Sequence, residues 1–364
     1  MPVQRLAYFV SSHGFGHAAR AAAVIDRLFE QAPELQVHLF AGTPDWFFEQ
    51  SFGGSLPDGL HFHPWETDVG LVQATALAED MQASLARLSG WYPLRTERLE
   101  PAVRAVAALD IDGLVADISP LGLAVAEALD LPSVLVENFT WTWIYRGYGL
   151  PELDPFADAL EPHFENAGLN LRTAPFCGPL GPGAVAVDPV ARRPRRPRDE
   201  VRRELGLEPD ESMILVTMGG VPWDFTDLES HLSERGLGDC RLVVAGGAET
   251  PTRIGRAHLI PHRSSFYHPD LVQAADAVVA KLGYSTIAEV AGCGCRLGYV
   301  PRPSFPESPE LEPWVHEHLA WTRIEPEHLE DGSWLDGLGE LLAQPARAPI
   351  GGGAETVARH ILAL

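Results

Sequence analysis

The sequence contains few cysteines. Only four occur among 364 residues, at Cys177, Cys240, Cys293 and Cys295. None of them shows the Cys-x-x-Cys spacing that is typical of a zinc ribbon. We therefore expect small buried thiols in a protein of a reducing cytoplasm.

Basic residues are also scarce. The chain has 27 Lys and Arg against 50 Asp and Glu, which gives a formal net charge of −23. Nucleic acids and anionic membranes both attract a surplus of basic residues, so this balance argues against either as a general partner. The one local exception is the arginine-rich stretch 192–203. We interpret it as a solvated linker that leads into a short helix.

Long apolar runs are absent as well. No stretch reaches the ~18 apolar residues that are needed to cross a bilayer. The opening MPVQRLAYFV is too short in its apolar part for a signal peptide. We therefore expect a cytoplasmic protein without stable membrane insertion. With 46% hydrophobic and 21% charged residues, the composition is that of a globular protein with a large core.

The sequence does show a regular alternation of short apolar runs with helical patterns. This alternation predicts an α/β protein of two Rossmann-like domains, each a doubly wound parallel sheet, facing a central cleft. We expect an N-terminal domain over 1–178, a Pro- and Gly-rich linker over 179–200, a C-terminal domain over 201–352, and a final helix over 353–364 that packs back on the N-terminal domain. The predicted strands are 5–12, 36–41, 60–65, 113–118, 133–138, 213–218, 241–245, 257–260, 277–281 and 296–300.

Ligands of such sheets bind at the carboxyl ends of the strands. The first strand is followed by SSHGFGHAAR, which contains His13, Gly14, Gly16, His17 and Arg20. A dinucleotide loop is disfavoured because the second strand does not end in an acidic residue. A metal site is disfavoured because the two histidines lack a nearby third ligand.

The remaining interpretation of this loop is a catalytic base. A histidine at the top of the first strand suits proton transfer at neutral pH, and it works best when a carboxylate fixes its other ring nitrogen. Asp117 follows a central strand and is the candidate carboxylate. The alternatives are that His17 only bonds to the helix backbone and that Asp117 is a helix cap or turn residue.

The stretch AVVAKLGYSTIAEVAG is a second candidate site. A strand ends at Lys281, and a helix begins near Ser285 and Thr286 after Gly283. Helix N-termini attract phosphate, and the hydroxyl and ammonium groups would add to this attraction. Glu289 would accept hydrogen bonds from ribose hydroxyls. The alternative is a capping box formed by Thr286 and Glu289.

Further candidates surround this second site. Gly219 and Gly220 after the strand 213–218 would let the backbone approach a ligand, unless they form a plain turn. His262 and Phe266 would contact a base, although core packing suits Phe266 equally. Glu307 and Glu310 lie in PRPSFPESPELEPW and would bind sugar hydroxyls, with a solvated loop as the alternative.

Six motifs also occur in order along the chain: HGFGHAAR (13–20), ETDVGLVQATALAED (66–80), VADISP (115–120), NFTWTWIY (138–145), KLGYSTIAE (281–289) and PESPEL (306–311). Together they resemble the glycosyltransferase-like module at the N-terminus of L-arabinokinases and, more distantly, the peptidoglycan N-acetylglucosaminyltransferase family. Both have the GT-B fold. The peptidoglycan enzymes carry glutamines where this chain reads PESPEL, so their sugar specificity does not carry over.

The resemblance implies a metal-independent, inverting glycosyltransferase that needs no cofactor besides its nucleotide-diphosphate sugar. It implies that His17 is the base, that Asp117 orients it, and that Glu289 binds ribose. The N-terminal half would bind a hydroxyl-bearing acceptor through His13, Gly14, Gly16, Arg20 and Asn138. The alternatives are a nucleotide-sugar 2-epimerase and a non-catalytic sugar or nucleotide-sugar binding module.

Overall fold

The structure is a computed structural model that describes residues 3–220 and 227–364. The chain divides into two compact units. The first contains the chain up to Val72, Glu79–Ala191 and Gly352–Leu364, and the second contains Gln73–Ala78 and Arg192–Gly351. Each unit is an α/β sandwich around its own sheet, so the predicted architecture of two Rossmann-like sheets is confirmed.

The first unit is built on a parallel sheet of seven strands in the order β3-β2-β1-β4-β5-β6-β7. The order runs outward from β1 to β3 on one side and from β4 to β7 on the other, so the sequence of strands changes direction between β1 and β4 while all strands stay parallel, as in a Rossmann fold. The strands are β1 (Arg5–Val10), β2 (Gln36–Ala41), β3 (Leu60–Pro64), β4 (Gly113–Asp117), β5 (Ser133–Glu137), β6 (Leu169–Thr173) and β7 (Val185–Val187).

Helices cover this sheet because their apolar faces match its buried strands. The core beside β1 is formed by alanines and large apolar residues of the first helix together with Val357 and Ile361 of the last one. The helices are α1 (Phe15–Gln31), α2 (Asp45–Ser51), α3 (Met81–Trp91), α4 (Thr96–Ala107), α5 (Pro120–Leu129), α6 (Trp141–Gly147), α7 (Asp154–Glu165) and, from the end of the chain, α15 (Gly353–Leu362).

The second unit repeats this design with seven strands in the order β10-β11-β9-β8-β12-β13-β14. Only β10 runs antiparallel to its neighbour. The strands are β8 (Ser212–Thr217), β9 (Cys240–Ala245), β10 (Thr252–Ile254), β11 (Ala257–Ile260), β12 (Ala277–Lys281), β13 (Arg296–Val300) and β14 (Ala320–Arg323).

Apolar clusters lie on both faces of the second sheet. Ala76 and Leu77 of the segment Gln73–Ala78 are buried in one of them. The helices are α8 (Arg198–Glu204), α9 (Leu228–Arg235), α10 (His268–Ala274), α11 (Tyr284–Cys293), α12 (Ser308–His318), α13 (Pro326–Glu330) and α14 (Leu338–Ala343), and Ser333–Gly337 form a 3-10 turn. Among the described residues, no helix is long and apolar enough to cross a membrane.

The structure differs from the sequence-based expectations in three places. Strands β6, β7, β10 and β14 were not predicted, and β7 lies inside the expected linker. The loop expected around PESPEL is in part the first turn of α12. The arginine-rich stretch is not simply solvated, because Arg192 and Arg202 are buried and form ion pairs with carboxylates.

Three histidines form a cluster on β2 and β3. His38 pairs with His61 in register. The ring of His38 stacks on those of His61 at 4.7 Å and His63 at 5.4 Å, and its Nδ1 lies 3.1 Å from Nε2 of His63. Burial, followed by the charges of His61, His63 and Arg5, lowers the pKa of His38 to about 4. Folding therefore favours the neutral ring.

This cluster predicts acid sensitivity. Because the folded pKa of His38 lies below the unfolded value of about 6.5, its contribution to stability is complete above that pH and is lost as the pH falls toward about 4. We measure the Tm of both proteins at a series of pH values. Between pH 6.5 and pH 4, the Tm of His38→Gln should fall less than the Tm of the native protein. The exposed His328 on α13 gives a control, His328→Gln. Parallel Tm curves for His38→Gln and the native protein would contradict the interpretation.

Candidate functional site

The first candidate site lies where β1 passes into α1. Gly14 ends the connecting loop with a φ of 71°, in the left-handed region that favours glycine. The helix then begins at Phe15, which places His17 in its first turn at the carboxyl end of the sheet. The ring of His17 is buried and meets Phe139 edge-on at 5.8 Å.

His17 is paired with the carboxylate at the end of β4. Its Nδ1 lies 2.9 Å from Oδ1 of Asp117, a fully buried residue. Arg20 binds the same carboxylate, with Nε 2.8 Å from Oδ2 and Nη2 2.6 Å from Oδ1. Burial alone would raise the pKa of Asp117, but the charge and hydrogen bonds of Arg20, then those of His17, lower it. Asp117 is therefore an ionised acceptor.

This geometry favours one tautomer of a neutral His17. Two groups face Nδ1 of His17: Oδ1 of Asp117 at 2.9 Å and, farther away, Nη2 of Arg20 at 3.3 Å. The ionised carboxylate is the closer group and can only accept hydrogen bonds, so we assign the proton to Nδ1 of His17, which donates it to Asp117. The lone pair then lies on Nε2, where it can accept a proton from a ligand. The cap of the following helix is Ser119, whose hydroxyl accepts from the Gly122 amide at 3.1 Å. The alternative interpretation of Asp117 as a helix cap is therefore wrong.

Arg20 and Asn138 have other partners than the predicted acceptor. Arg20 donates to the side chain of Asn138, and Nδ2 of Asn138 donates to the carbonyl oxygens of Thr173 at 2.5 Å and Pro175 at 2.9 Å. Both side chains are about 5% exposed. This network leaves them little surface for a ligand, and we interpret them as positioning residues that hold Asp117 in place.

Asp68 is a member of the site that no local sequence pattern singled out. It is fully buried, and its carboxylate accepts from the Ser12 amide and from Trp141 Nε1, both at 2.8 Å. Burial raises the pKa of Asp68, although hydrogen bonds from Ser11, Ser12 and Trp141 oppose this rise. Asp68 thus ties the loop after β1 to α6. Its only sequence signal was its place in the motif ETDVGLVQATALAED.

His13 lies on the same loop beside Trp141. The two rings meet edge-on at 5.1 Å. A Cβ atom on Gly70 would lie 2.3 Å from Nδ1 of His13, so only glycine leaves room for this ring. The predicted acceptor residues His13, Gly14 and Gly16 therefore lie on the loop and helix start that also present His17.

The second candidate site lies at the carboxyl end of the second sheet. Lys281 ends β12, and Gly219 follows β8 with a φ of 70°. A Cβ atom on Gly219 would lie 3.3 Å from Cε of Lys281, so the structure brings these two predicted residues together. Gly220 is the last residue described before the gap at 221–226. A side chain at 219 would crowd the lysine, and the backbone there favours glycine.

Helix α11 starts directly after Lys281. Gly283 is its N-cap residue, and no side chain caps the helix. The alternative interpretation of Thr286 and Glu289 as a capping box is therefore wrong. Ser285 and Thr286 lie half-buried in the first turn, where backbone amides have no intrahelical acceptor. This is the arrangement that binds anionic groups in many proteins.

Glu289 is buried deeper than the sequence suggested. Its Oε1 accepts from Nε of Arg192 at 3.0 Å and from Nη2 at 2.9 Å, and its Oε2 lies 2.7 Å from Nδ1 of His268. Burial would raise the pKa of Glu289, but the charges of Arg192 and His268 and their hydrogen bonds lower it. Because Arg192 occupies Oε1 twice, a ribose hydroxyl could approach only Oε2.

The remaining predicted residues are more scattered. His262 follows β11, and burial lowers its pKa. Phe266 packs against the core of the unit, in agreement with the core-packing alternative. Glu307 is buried and pairs with Arg302 at 3.3 Å, whereas Glu310 is exposed on α12.

Within 3–220 and 227–364, no group of three or more His, Cys, Asp or Glu side chains is arranged to hold a metal ion.

Comparison with known proteins confirms the predicted resemblance. No family model matches the chain. The chain is 28% identical over 362 residues to the L-arabinokinase of Arabidopsis thaliana, a match that covers 98% of this chain and 34% of that protein. It is also 28% identical over 256 residues to a UDP-N-acetylglucosamine–N-acetylmuramyl-(pentapeptide) pyrophosphoryl-undecaprenol N-acetylglucosamine transferase of Bifidobacterium longum, covering 57% of this chain and 63% of that protein. The chain therefore spans less than two thirds of either relative.

Solved structures establish the fold. The crystal structure of Arabidopsis thaliana UGT89C1 complexed with UDP superposes with a TM-score of 0.66 at 12% identity, covering 99% of this chain and 98% of that chain. Further solved glycosyltransferases share the same architecture over nearly the whole chain. The chain has the GT-B fold, as the motifs predicted.

Proposed function

We propose that the protein is a glycosyltransferase that moves a sugar from a nucleotide diphosphate to a hydroxyl group of an acceptor. The observation that carries the proposal is the contact of 2.9 Å between His17 and the buried Asp117 at the carboxyl end of the first sheet. The GT-B fold and the similarity to a transferase that uses UDP-N-acetylglucosamine support it.

In the proposed reaction, His17 acts as the general base. Its Nε2 takes the proton of the acceptor hydroxyl while the hydroxyl oxygen bonds to the anomeric carbon. The bond from that carbon to the diphosphate breaks, and its electron pair leaves with the nucleoside diphosphate. A single displacement from the opposite face inverts the anomeric configuration. Asp117 stabilises the imidazolium that forms.

The leaving diphosphate gathers negative charge, and we propose that the second unit stabilises it without a metal. The first-turn amides of α11, Ser285, Thr286 and Lys281 supply positive or hydrogen-bonding groups at one place. Lys281 is the only lysine among the 27 basic residues of the chain. All other basic residues of the chain are arginines. We infer that position 281 needs the compact ammonium group beside Gly219 and not a planar guanidinium.

Nucleotide binding gives the direct test. We expect UDP to raise the Tm of the protein, since ligand at about 100 times its dissociation constant stabilises by about 2.7 kcal/mol. Lys281→Met should lose most of this shift because the ammonium is removed. A thermal-shift series with UDP, UDP-glucose and UDP-N-acetylglucosamine measures both effects.

The exposed Arg235 on α9 offers a control, Arg235→Met, which should keep the ligand-induced shift. No shift with any of the three ligands would overturn the donor site. Turnover of a UDP-sugar without any acceptor would instead indicate the 2-epimerase alternative.

A further inference from the structure

A short segment from the N-terminal part of the sequence belongs to the second unit. We call Gln73–Ala78 the strap. It folds into a tight turn, with the amides of Ala74 and Thr75 donating to the Ala78 carbonyl at 2.9 and 3.1 Å. Ala76 and Leu77 anchor it in the core of the unit. Because both the turn and the anchor are fixed, the position of Gln73 at its start is fixed too.

The side chain of Gln73 contacts the loop after β13. Its Oε1 accepts from Nη2 of Arg302 at 3.0 Å. Arg302 in turn stacks on Phe305 at 3.9 Å and pairs with Glu307 at 3.3 Å. A guanidinium can only donate, so the atom of Gln73 that faces it must be the oxygen. The amide nitrogen therefore points the other way.

The contacts within this group do not explain the amide nitrogen of Gln73. Nε2 of Gln73 is buried and has no hydrogen-bond partner in the described part of the chain. Buried polar atoms almost always have a partner, and an amide nitrogen without one is costly to keep. Since its orientation is set by Arg302, the simplest partner is an oxygen atom of a ligand.

The location of the group identifies the ligand. Val300 at the end of β13 pairs in register with Lys281 at the end of β12, and Arg302 follows two residues later. Gln73, Arg302 and Glu307 therefore lie beside the loop that we propose to hold the diphosphate. In a nucleotide-diphosphate sugar, the sugar is attached directly to the outer phosphate. The diphosphate oxygens are assigned to Lys281 and the first turn of α11, so we assign a hydroxyl of that sugar as the partner of Gln73.

We propose that Gln73 is a specificity residue for the donor sugar, whose amide nitrogen donates a hydrogen bond to one sugar hydroxyl. Arg302 and Glu307 hold the amide in the required orientation. The inference rests on the proposed function and extends it to the sugar. It also assigns to the strap a contact that the glutamate-containing stretch PESPEL does not supply, because a carboxylate has no proton to donate.

The test is the variant Gln73→Met, which keeps the length of the side chain and removes the amide. We expect its dissociation constant for UDP-glucose to rise about 3- to 10-fold, as for one neutral hydrogen bond, with that for UDP unchanged. Calorimetry with UDP, UDP-glucose and the analogues that each lack one hydroxyl measures this. One analogue should have the same dissociation constant for the native protein and for Gln73→Met, because the hydroxyl that it lacks is the partner of Gln73.

The matched control is Gln31→Met, which makes the same substitution at an exposed residue of α1. If Gln73→Met weakens UDP and UDP-glucose equally, Gln73 only supports the fold and the proposal is wrong. Unchanged affinity for UDP-glucose, or no analogue that abolishes the difference between the two proteins, overturns it as well. If the native protein binds neither UDP nor UDP-glucose, the proposed function itself is wrong, and the inference about Gln73 is then wrong as well.

Discussion

We expect His17→Ala to lower turnover by about 10²- to 10⁴-fold, the usual contribution of a general base, while UDP binding stays unchanged. The acceptor hydroxyl is a weak nucleophile at neutral pH and needs a group that removes its proton. His17 is the histidine whose ring pairs with the buried Asp117. Lys281 and α11 belong to the other unit, so nucleotide binding should survive. Initial rates and calorimetry measure the two quantities.

A second variant separates the loss of the base from the loss of packing. Gln at position 17 can still donate a hydrogen bond to Asp117, but it cannot take up a proton. His17→Gln should therefore fold like the native protein and remain inactive. The control is His163→Ala, which removes a histidine that pairs with the exposed Glu127 on the surface of the same unit. Turnover near the native rate in either His17 variant would rule out the base assignment.

The contact between His17 and Asp117 was predictable because it follows from general rules of parallel sheets. Strands β1 and β4 are neighbours, and residues that follow their carboxyl ends meet at one edge. The glycines of the loop indicated a tight turn, and the apolar residues at helical spacing after it indicated α1. The glycine turn after Lys281 indicated the start of α11 near Ser285 and Thr286. The same rules placed Gly219 near Lys281, since β8 and β12 are also neighbours.

Other parts of the site left no local pattern in the sequence. The ion pair of Arg192 with Glu289 joins residues 97 positions apart. Arg192 stands in a Pro-rich stretch whose composition is typical of a solvated linker. The composition therefore predicted an exposed side chain, whereas Arg192 is buried. Asp68 is recognisable only when its burial and its bond to Trp141 are known. The strap has too few residues for a periodicity, and its membership in the second unit is a long-range packing effect.

The largest loss of stability is expected at Asp117. Asp117→Asn keeps the size of the side chain but removes the charge that balances Arg20, which is buried beside it. Breaking a buried ion pair at one partner typically costs about 3–5 kcal/mol. Urea unfolding measures this loss. The control is Asp110→Asn, which removes a carboxylate paired with Arg5 at the surface and should change stability by less than about 1 kcal/mol.

Activity should fall in Asp117→Asn for a separate reason. An amide NH₂ group facing His17 would donate to Nδ1, which moves the ring proton to Nε2 and removes the lone pair that accepts the substrate proton. The double variant Arg20→Leu with Asp117→Asn distinguishes the two effects, because it removes the unbalanced charge but does not restore the carboxylate that stabilises the imidazolium of His17. We expect it to recover part of the stability but none of the turnover. Recovery of turnover together with stability would mean that Asp117 serves only to hold the fold.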